Sequence, residues 1–156
     1  MTCLADVNFW LALEIDDHIH HASAMGWLQD TPEEDLAFCR ITQNGFLRLL
    51  TNPHVMKTDV LTASDAWRAY DTLCANRRVR FADEPPGLEE AWRRLTRHSR
   101  KGPNFWTDAY LTAFATAAGL TVLTFDRELA RHAGPRAHLL ASPNNRADLA
   151  EQTRKV

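Results

Sequence analysis

Short apolar runs, unbroken by polar alternation and each handing over to a helical pattern, constrain this 156-residue chain more than any other feature. Thr2-Cys3-Leu4-Ala5 ends at Asp6-Val7-Asn8, after which Phe9, Trp10, Leu11, Ala12, Leu13 and Ile15 fall at helical spacing. Residues 36–41 form a second run, with Thr42 as a helix cap before the apolar face Phe46, Leu47, Leu49 and Leu50, which ends near Asn52-Pro53. Residues 79–82 are a third strand, closed by Pro85-Pro86-Gly87, and residues 121–125 a fourth, ending at Asp126 ahead of a short helix and a last strand near 137–140. Strands that are apolar on both sides need cover on both faces, the condition of a parallel sheet between helices. The expected fold class is therefore α/β.

Helices fill the intervals. Residues 18–30 carry Ala22, Met25, Trp27 and Leu28 as a buried side and stop before Thr31-Pro32. Thr62-Ala63-Ser64-Asp65 opens a helix through Trp67, Tyr70 and Leu73; residues 88–98 form another, and about 106–118 a third that Gly119 ends. The apolar pattern fades after residue 141, which predicts one domain over 1–141 and a surface tail over 142–156.

Composition removes several function classes. With 45% hydrophobic and 24% charged side chains the chain is an ordinary globular one, long enough to bury a core without disulfides or structural metal. Its formal charge of −2 gives no overall field for nucleic acid or an anionic membrane, so such binding needs local patches. Cys3, Cys39 and Cys74 have no C-x-x-C spacing and leave one thiol unpaired, which fits a reducing compartment. The start lacks a signal-peptide pattern, and the most apolar stretch, 109–125, is interrupted by Gly119 and threonines. The cytoplasm is the expected location, with no membrane contact.

Parallel sheets bind ligands at the carboxyl ends of their strands. Asp6 and Asp126 directly follow predicted strands and would emerge on that edge, and Asp108 opens the helix before the Asp126 strand. Three converging carboxylates repel one another, and a hard divalent cation reverses that balance. Mg²⁺, or Mn²⁺ in its place, is the expected occupant, able to support in-line hydrolysis of a phosphodiester.

Leu4-Ala5-Asp6-Val7-Asn8, Trp106-Thr107-Asp108-Ala109-Tyr110-Leu111 and Val122-Leu123-Thr124-Phe125-Asp126 resemble the three best-marked motifs of PIN domains, in particular VapC-type toxins. Cys39-Arg40-Ile41-Thr42-Gln43-Asn44-Gly45-Phe46-Leu47-Arg48-Leu49-Leu50 adds a likeness to a VapC subgroup, and the resemblance runs from about residue 2 to 140. It implies a three-layer α/β/α sandwich with a central parallel sheet. It also implies a Mg²⁺-dependent endoribonuclease acting on RNA, dimeric and neutralised by a VapB-like antitoxin. Asp6, Asp108 and Asp126 carry over as the catalytic, metal-binding acids. Many PIN domains have a glutamate in the helix after the second strand; Gln43, Asn44 and Gly45 stand there instead. This leaves one or two metal ions open, with Gln43 or Asn44 as candidates to orient water or phosphate.

Other residues have two readings each. Asn8 caps the first helix or holds Asp6 by a hydrogen bond, and Thr124 serves the sheet or the site. Arg40 and Arg48 contact substrate or pair with surface acids. Arg93, Arg94, Arg97, Arg100 and Lys101 grip RNA phosphates or form a solvated face. His18-Ile19-His20-His21 reads as a surface helix start rather than a zinc site, and the five tryptophans as core rather than base-stacking rings. Two further functions stand beside the nuclease. One is a PIN domain that binds RNA without cutting it. The other is a receiver-type phosphoacceptor, disfavoured because the chain turns apolar directly after Asp6.

Overall fold

A computed structural model describes residues 1–97 and 102–141. Among these, five strands form one parallel sheet: β1 (Thr2–Ala5), β2 (Asp35–Phe38), β3 (Val79–Phe81), β4 (Thr121–Thr124) and β5 (Ala137–Leu139), in the order β3-β2-β1-β4-β5. The helices are α1 (Val7–Glu14), α2 (His21–Asp30), α3 (Arg40–Leu50), α4 (Pro53–Met56), α5 (Ala63–Cys74), α6 (Leu88–Thr96), α7 (Phe105–Ala118) and α8 (Arg127–Ala133). Short 3₁₀ segments follow α4 and α8.

The two-residue period of a strand divides the core. Cys3, Ala5, Leu36, Phe38 and Leu123 turn to one face, where Phe9, Trp10, Trp27, Phe46 and Leu50 cover them; Leu4, Ala37 and Val122 turn to the other, against Leu88, Ala91, Leu111, Phe114 and Leu129. The result is the α/β/α sandwich that the apolar strands require. Trp10 fixes α1 on the sheet, stacking on Phe38 at 3.7 Å between ring centroids and donating its indole N–H to the Ala5 carbonyl at 3.1 Å. Truncating such a ring costs about 3–5 kcal/mol. Gly45 lets α3 cross α1 closely, because a Cβ there would lie 2.7 Å from Val7 Cγ2. Gly119 ends α7 at φ +68°, a left-handed position that glycine adopts without strain.

Several boundaries differ from the sequence expectation, and helix caps explain most of them. Strand β2 stops at Phe38, so Arg40 and Ile41 belong to α3; Cys39 is the cap residue and Thr42 stands three residues in, accepting the Cys39 N–H at 3.0 Å. Helix α1 starts at Val7, so Asp6 and not Asn8 is its cap; Asn8 is exposed. The second helix begins at His21, leaving His18–20 as a turn, and Ala22 is exposed. Helix α4, capped by Asn52 with Pro53 in its first turn, is too short to register as a period. Helix α6 is observed to Thr96, and residue 98 and the tail 142–156 lie outside the described residues. No described helix is long and apolar enough to cross a membrane.

From β1 the chain builds β2 and β3 to one side and later β4 and β5 to the other. The order therefore reverses between β1 and β4, and connections leaving their carboxyl ends diverge to open a crevice.

Candidate active site

Asp6 and Asp126 flank that reversal point. The Asp6 N–H donates to the Leu123 carbonyl at 2.9 Å, continuing the β1–β4 pairing by one residue and fixing the backbone that carries the carboxylate. Its Oδ1 accepts the Val7 N–H at 2.6 Å, and its Oδ2 accepts the Thr124 hydroxyl at 3.0 Å. The same Thr124 oxygen accepts the Asp126 N–H at 2.9 Å, so one side chain ties the two acidic turns together. Asp126 caps α8, its Oδ1 accepting from the N–H groups of Glu128 at 2.6 Å and Leu129 at 3.2 Å.

Asp108 reaches the crevice from the first turn of α7 and is only 7% exposed. Its Oδ2 lies 3.9 Å from His132 Nδ1, too long for a direct hydrogen bond. A cavity of about 290 Å³ opens beside it, lined by Asn104, Phe105, Asp108, Glu128 and His132 with Gly102 and Pro103.

Electrostatics show that the acids share one field. Burial, and secondarily the charge of Asp126, pushes the Asp6 carboxyl up to about 6 against the opposing hydrogen bonds from Thr124 and Val7. Burial also pushes Asp108 up to about 6, helped by the negative charges of Asp126, Asp6 and Glu128. Hard oxygen donors with uncompensated mutual repulsion suit a divalent cation. Among the described residues no group of three or more His, Cys, Asp or Glu side chains stands close enough together to hold a metal ion. An ion such as Mg²⁺ would here be held by one or two carboxylates, with water and substrate phosphate completing its shell.

The remaining sequence candidates divide. Thr124 takes the holding role on Asp6 that Asn8 was a candidate for. Arg40 donates to Gln43 and lies 4.5 Å over the Phe81 ring, while Gln43 also meets Tyr70; these residues form a neutral-to-basic cluster at the β2–β3 end. Asn44 and Arg48 are exposed. In the basic run Arg93 pairs with Glu89 at 2.6 Å and Arg94 with Glu90 at 3.6 Å, and Arg97 is exposed. Arg100 and Lys101 lie outside the described residues. Trp10 and Trp27 are core, as expected, but Trp67 and Trp106 are exposed. Sequence reasoning missed Glu128 and His132. Their signal was an acid and a histidine one helical turn apart, directly after an acid-ended strand.

The profile of the PIN domain family matches residues 3–135. The chain belongs to the PIN-domain family. Within it, this PIN domain is similar to ribonuclease VapC41 of Mycobacterium tuberculosis, with 38% identity over 143 residues covering 88% of this chain and 98% of the relative. Ribonuclease VapC44 of the same organism is 33% identical over 146 residues, covering 88% and 94%. The fold is shared with the solved VapBC2 complex of Rickettsia felis bound to a promoter DNA fragment, at a TM-score of 0.65 and 13% identity over 90% of this chain and 100% of that one. It is shared too with VapC20 of M. tuberculosis, a sarcin–ricin loop cleaving toxin, at 0.63 and 20% over 92% and 100%. PIN-domain ribonucleases of the VapC type generally depend on a divalent metal ion.

Proposed function

We propose that this PIN domain is a VapC-like endoribonuclease toxin that hydrolyses RNA phosphodiester bonds with Mg²⁺, Mn²⁺ serving in its place. What supports the reading is that Thr124 ties Asp6 to the Asp126 turn at the β1–β4 reversal and that Asp108 feels the charge of both, with Asp6 and Asp108 pushed up to about 6 by burial and by their neighbours' charge. Asp6 and Asp108 supply the anionic oxygens that hold the cation, and Asp126 adds charge while its cap keeps α8 in place. When bound, the cation polarises the scissile phosphate and activates the attacking water. Thr124 and the Val7 N–H fix both oxygens of Asp6, so the carboxylate need not reorganise as charge develops on phosphorus.

The same reading places the nuclease domain over 1–141 with 142–156 as a tail, the protein in the cytoplasm, a second copy as its dimer partner and a VapB-like antitoxin as its inhibitor. The similarity to ribonucleases VapC41 and VapC44 over nearly their whole length supports these points. A second reading, RNA binding without cleavage, draws on Gln43 being engaged by Arg40 and Tyr70 where many relatives place a glutamate.

The deciding test is cleavage of a structured RNA pool by the full chain with Mg²⁺ or Mn²⁺, with EDTA and Asp6→Asn as controls. Discrete cuts that need both metal and Asp6 support the nuclease. RNA retained but uncut in every metal overturns it in favour of the binding module.

A further inference from the structure

Asp6 and Asp108 are both buried, yet only one of them is held. Both oxygens of Asp6 accept hydrogen bonds, from the Val7 N–H and the Thr124 hydroxyl. Among the described residues no hydrogen bond reaches the Asp108 carboxylate, although it lines a cavity and the residue is almost wholly enclosed. The polar group that approaches it is His132, whose Nδ1 stands 3.9 Å from Asp108 Oδ2 on a ring that is itself mostly buried. A carboxylate keeps its aim at a cation when its other oxygen is hydrogen-bonded from outside the coordination shell.

The core sets the place of His132. Helix α8 begins at the Asp126 cap, and Leu129 and Ala133, on either side of His132 in the sequence, are buried in the layer that also holds Leu111 and Phe114 of α7. The four-residue spacing puts Glu128 and His132 on one side of α8, and both line the cavity with Asp108. Glu128 is an acceptor when ionised and cannot steady another carboxylate. Of the two side chains in the cavity wall that can donate, Asn104 is exposed and His132 is the one beside Asp108. A separation of 3.9 Å is one that a single water bridges, and the cavity of about 290 Å³ is polar and roomy enough to hold it. With its proton on Nδ1 the neutral ring donates toward Oδ2 and leaves the other oxygen to a cation.

We propose that His132 is the positioning residue of Asp108, orienting its carboxylate toward the cation as Thr124 orients that of Asp6. The inference rests on the nuclease reading and adds to it a residue that acts through Asp108.

The test uses the full chain as wild type, His132→Ala, His132→Asn and His132→Gln. The asparagine amide puts a donor where Nδ1 stands, and the glutamine amide puts one where Nε2 stands. Mn²⁺ affinity is read by calorimetry without RNA, and kcat and KM on one RNA oligomer at a fixed Mg²⁺ concentration. His132→Ala is expected to weaken Mn²⁺ binding by about 10- to 100-fold and to lower kcat while KM for RNA is unchanged. His132→Asn restores most of the loss and His132→Gln does not. Unchanged Mn²⁺ affinity in His132→Ala overturns the positioning role and leaves the nuclease standing. Restoration by His132→Gln in place of His132→Asn overturns it too, because the ring would then act through Nε2 as a direct ligand or a phosphate contact. Equal effects of the two amides also overturn it, and if His132→Ala does not fold, the amide pair decides alone. Wild type that binds no Mn²⁺ and cuts no RNA removes the nuclease reading, and this role with it.

Discussion

At the carboxyl end of β1 the chain enters α1 through Asp6, whereas at the carboxyl end of β2 it enters α3 through Cys39 and Thr42. Both junctions lie on one sheet edge, and both satisfy backbone groups that a helix start leaves unpaired. The Cys39 junction does so with neutral groups, the Thr42 hydroxyl bridging the Cys39 N–H and carbonyl. Behind it Arg40 and Gln43 are bonded to each other. The Asp6 junction does so with a buried carboxylate that faces two other acids. One junction closes the fold with neutral groups, and the other keeps an electrostatic cost that protonation, loss of a charge or a bound cation relieves. The comparison teaches that a cap becomes a candidate catalytic group when its charge is left uncompensated.

The largest expected effect falls on the charged junction. Asp108→Asn removes charge at nearly constant volume and should lower the RNA cleavage rate by about 10³-fold, while circular dichroism shows an intact fold. Full activity with the same metal dependence would separate Asp108 from the site.

Stability without metal should move the other way. Asp6 and Asp108 titrate near 6 when folded against 3.8 for the ordinary group, so between these values the folded chain holds more protons than the unfolded one. Their contribution is present below about 3.8 and is lost as pH rises through about 6. In EDTA, Asp108→Asn should therefore raise the melting temperature over wild type at pH 7.5, by a gain on the order of 1–3 kcal/mol that vanishes near pH 4. An equal difference at both pH values would break the contrast between the junctions.

Gly45→Ala tests the packing that holds the two junction helices together. Its Cβ would stand 2.7 Å from Val7 Cγ2, an overpacking that outweighs the better helix propensity and leaves a net loss of about 1 kcal/mol. Denaturant unfolding should register the loss, and adding Val7→Ala should recover it. The smallest effect is expected from Gln43→Glu. If the β2 junction is structural, the introduced carboxylate pairs with Arg40 while burial at this position costs it solvation, so the two roughly cancel and cleavage stays within about 3-fold. A tenfold gain in Mg²⁺ affinity by calorimetry would instead join this junction to the site.

Much of this is legible in the sequence. The apolar runs name every strand: β1, β2 and β4 are buried on both faces and cannot hide their composition, whereas the edge strands β3 and β5 leave Arg80, His138 and Leu139 exposed and give weaker runs. The three acids stood out because each follows a strand or opens a helix. What escaped were features that depend on one atom's placement. Asn8 and Asp6 are both good caps by type, and the position of Val7 in the first turn decided for Asp6. Glu128 and His132 lie on a seven-residue helix and gain meaning only because α8 packs against α7, bringing His132 toward Asp108. Trp106 has the composition of a core residue, and only the path of α6 and α7 leaves it in solvent.

The sequence by itself determined the α/β class, the strand–helix alternation and the order of the acids, since periodicity, cap chemistry and burial demand are local properties carried by each segment. The tertiary structure alone decided that β1 and β4 are neighbours, and with them Asp6, Thr124 and Asp126. Asp6 stands more than a hundred positions before the other two, and strand order in a parallel sheet is set by which helices can cover which face. No local pattern encodes that choice, and it is the choice that brings Asp6 and the Asp126 turn together on one edge of the sheet.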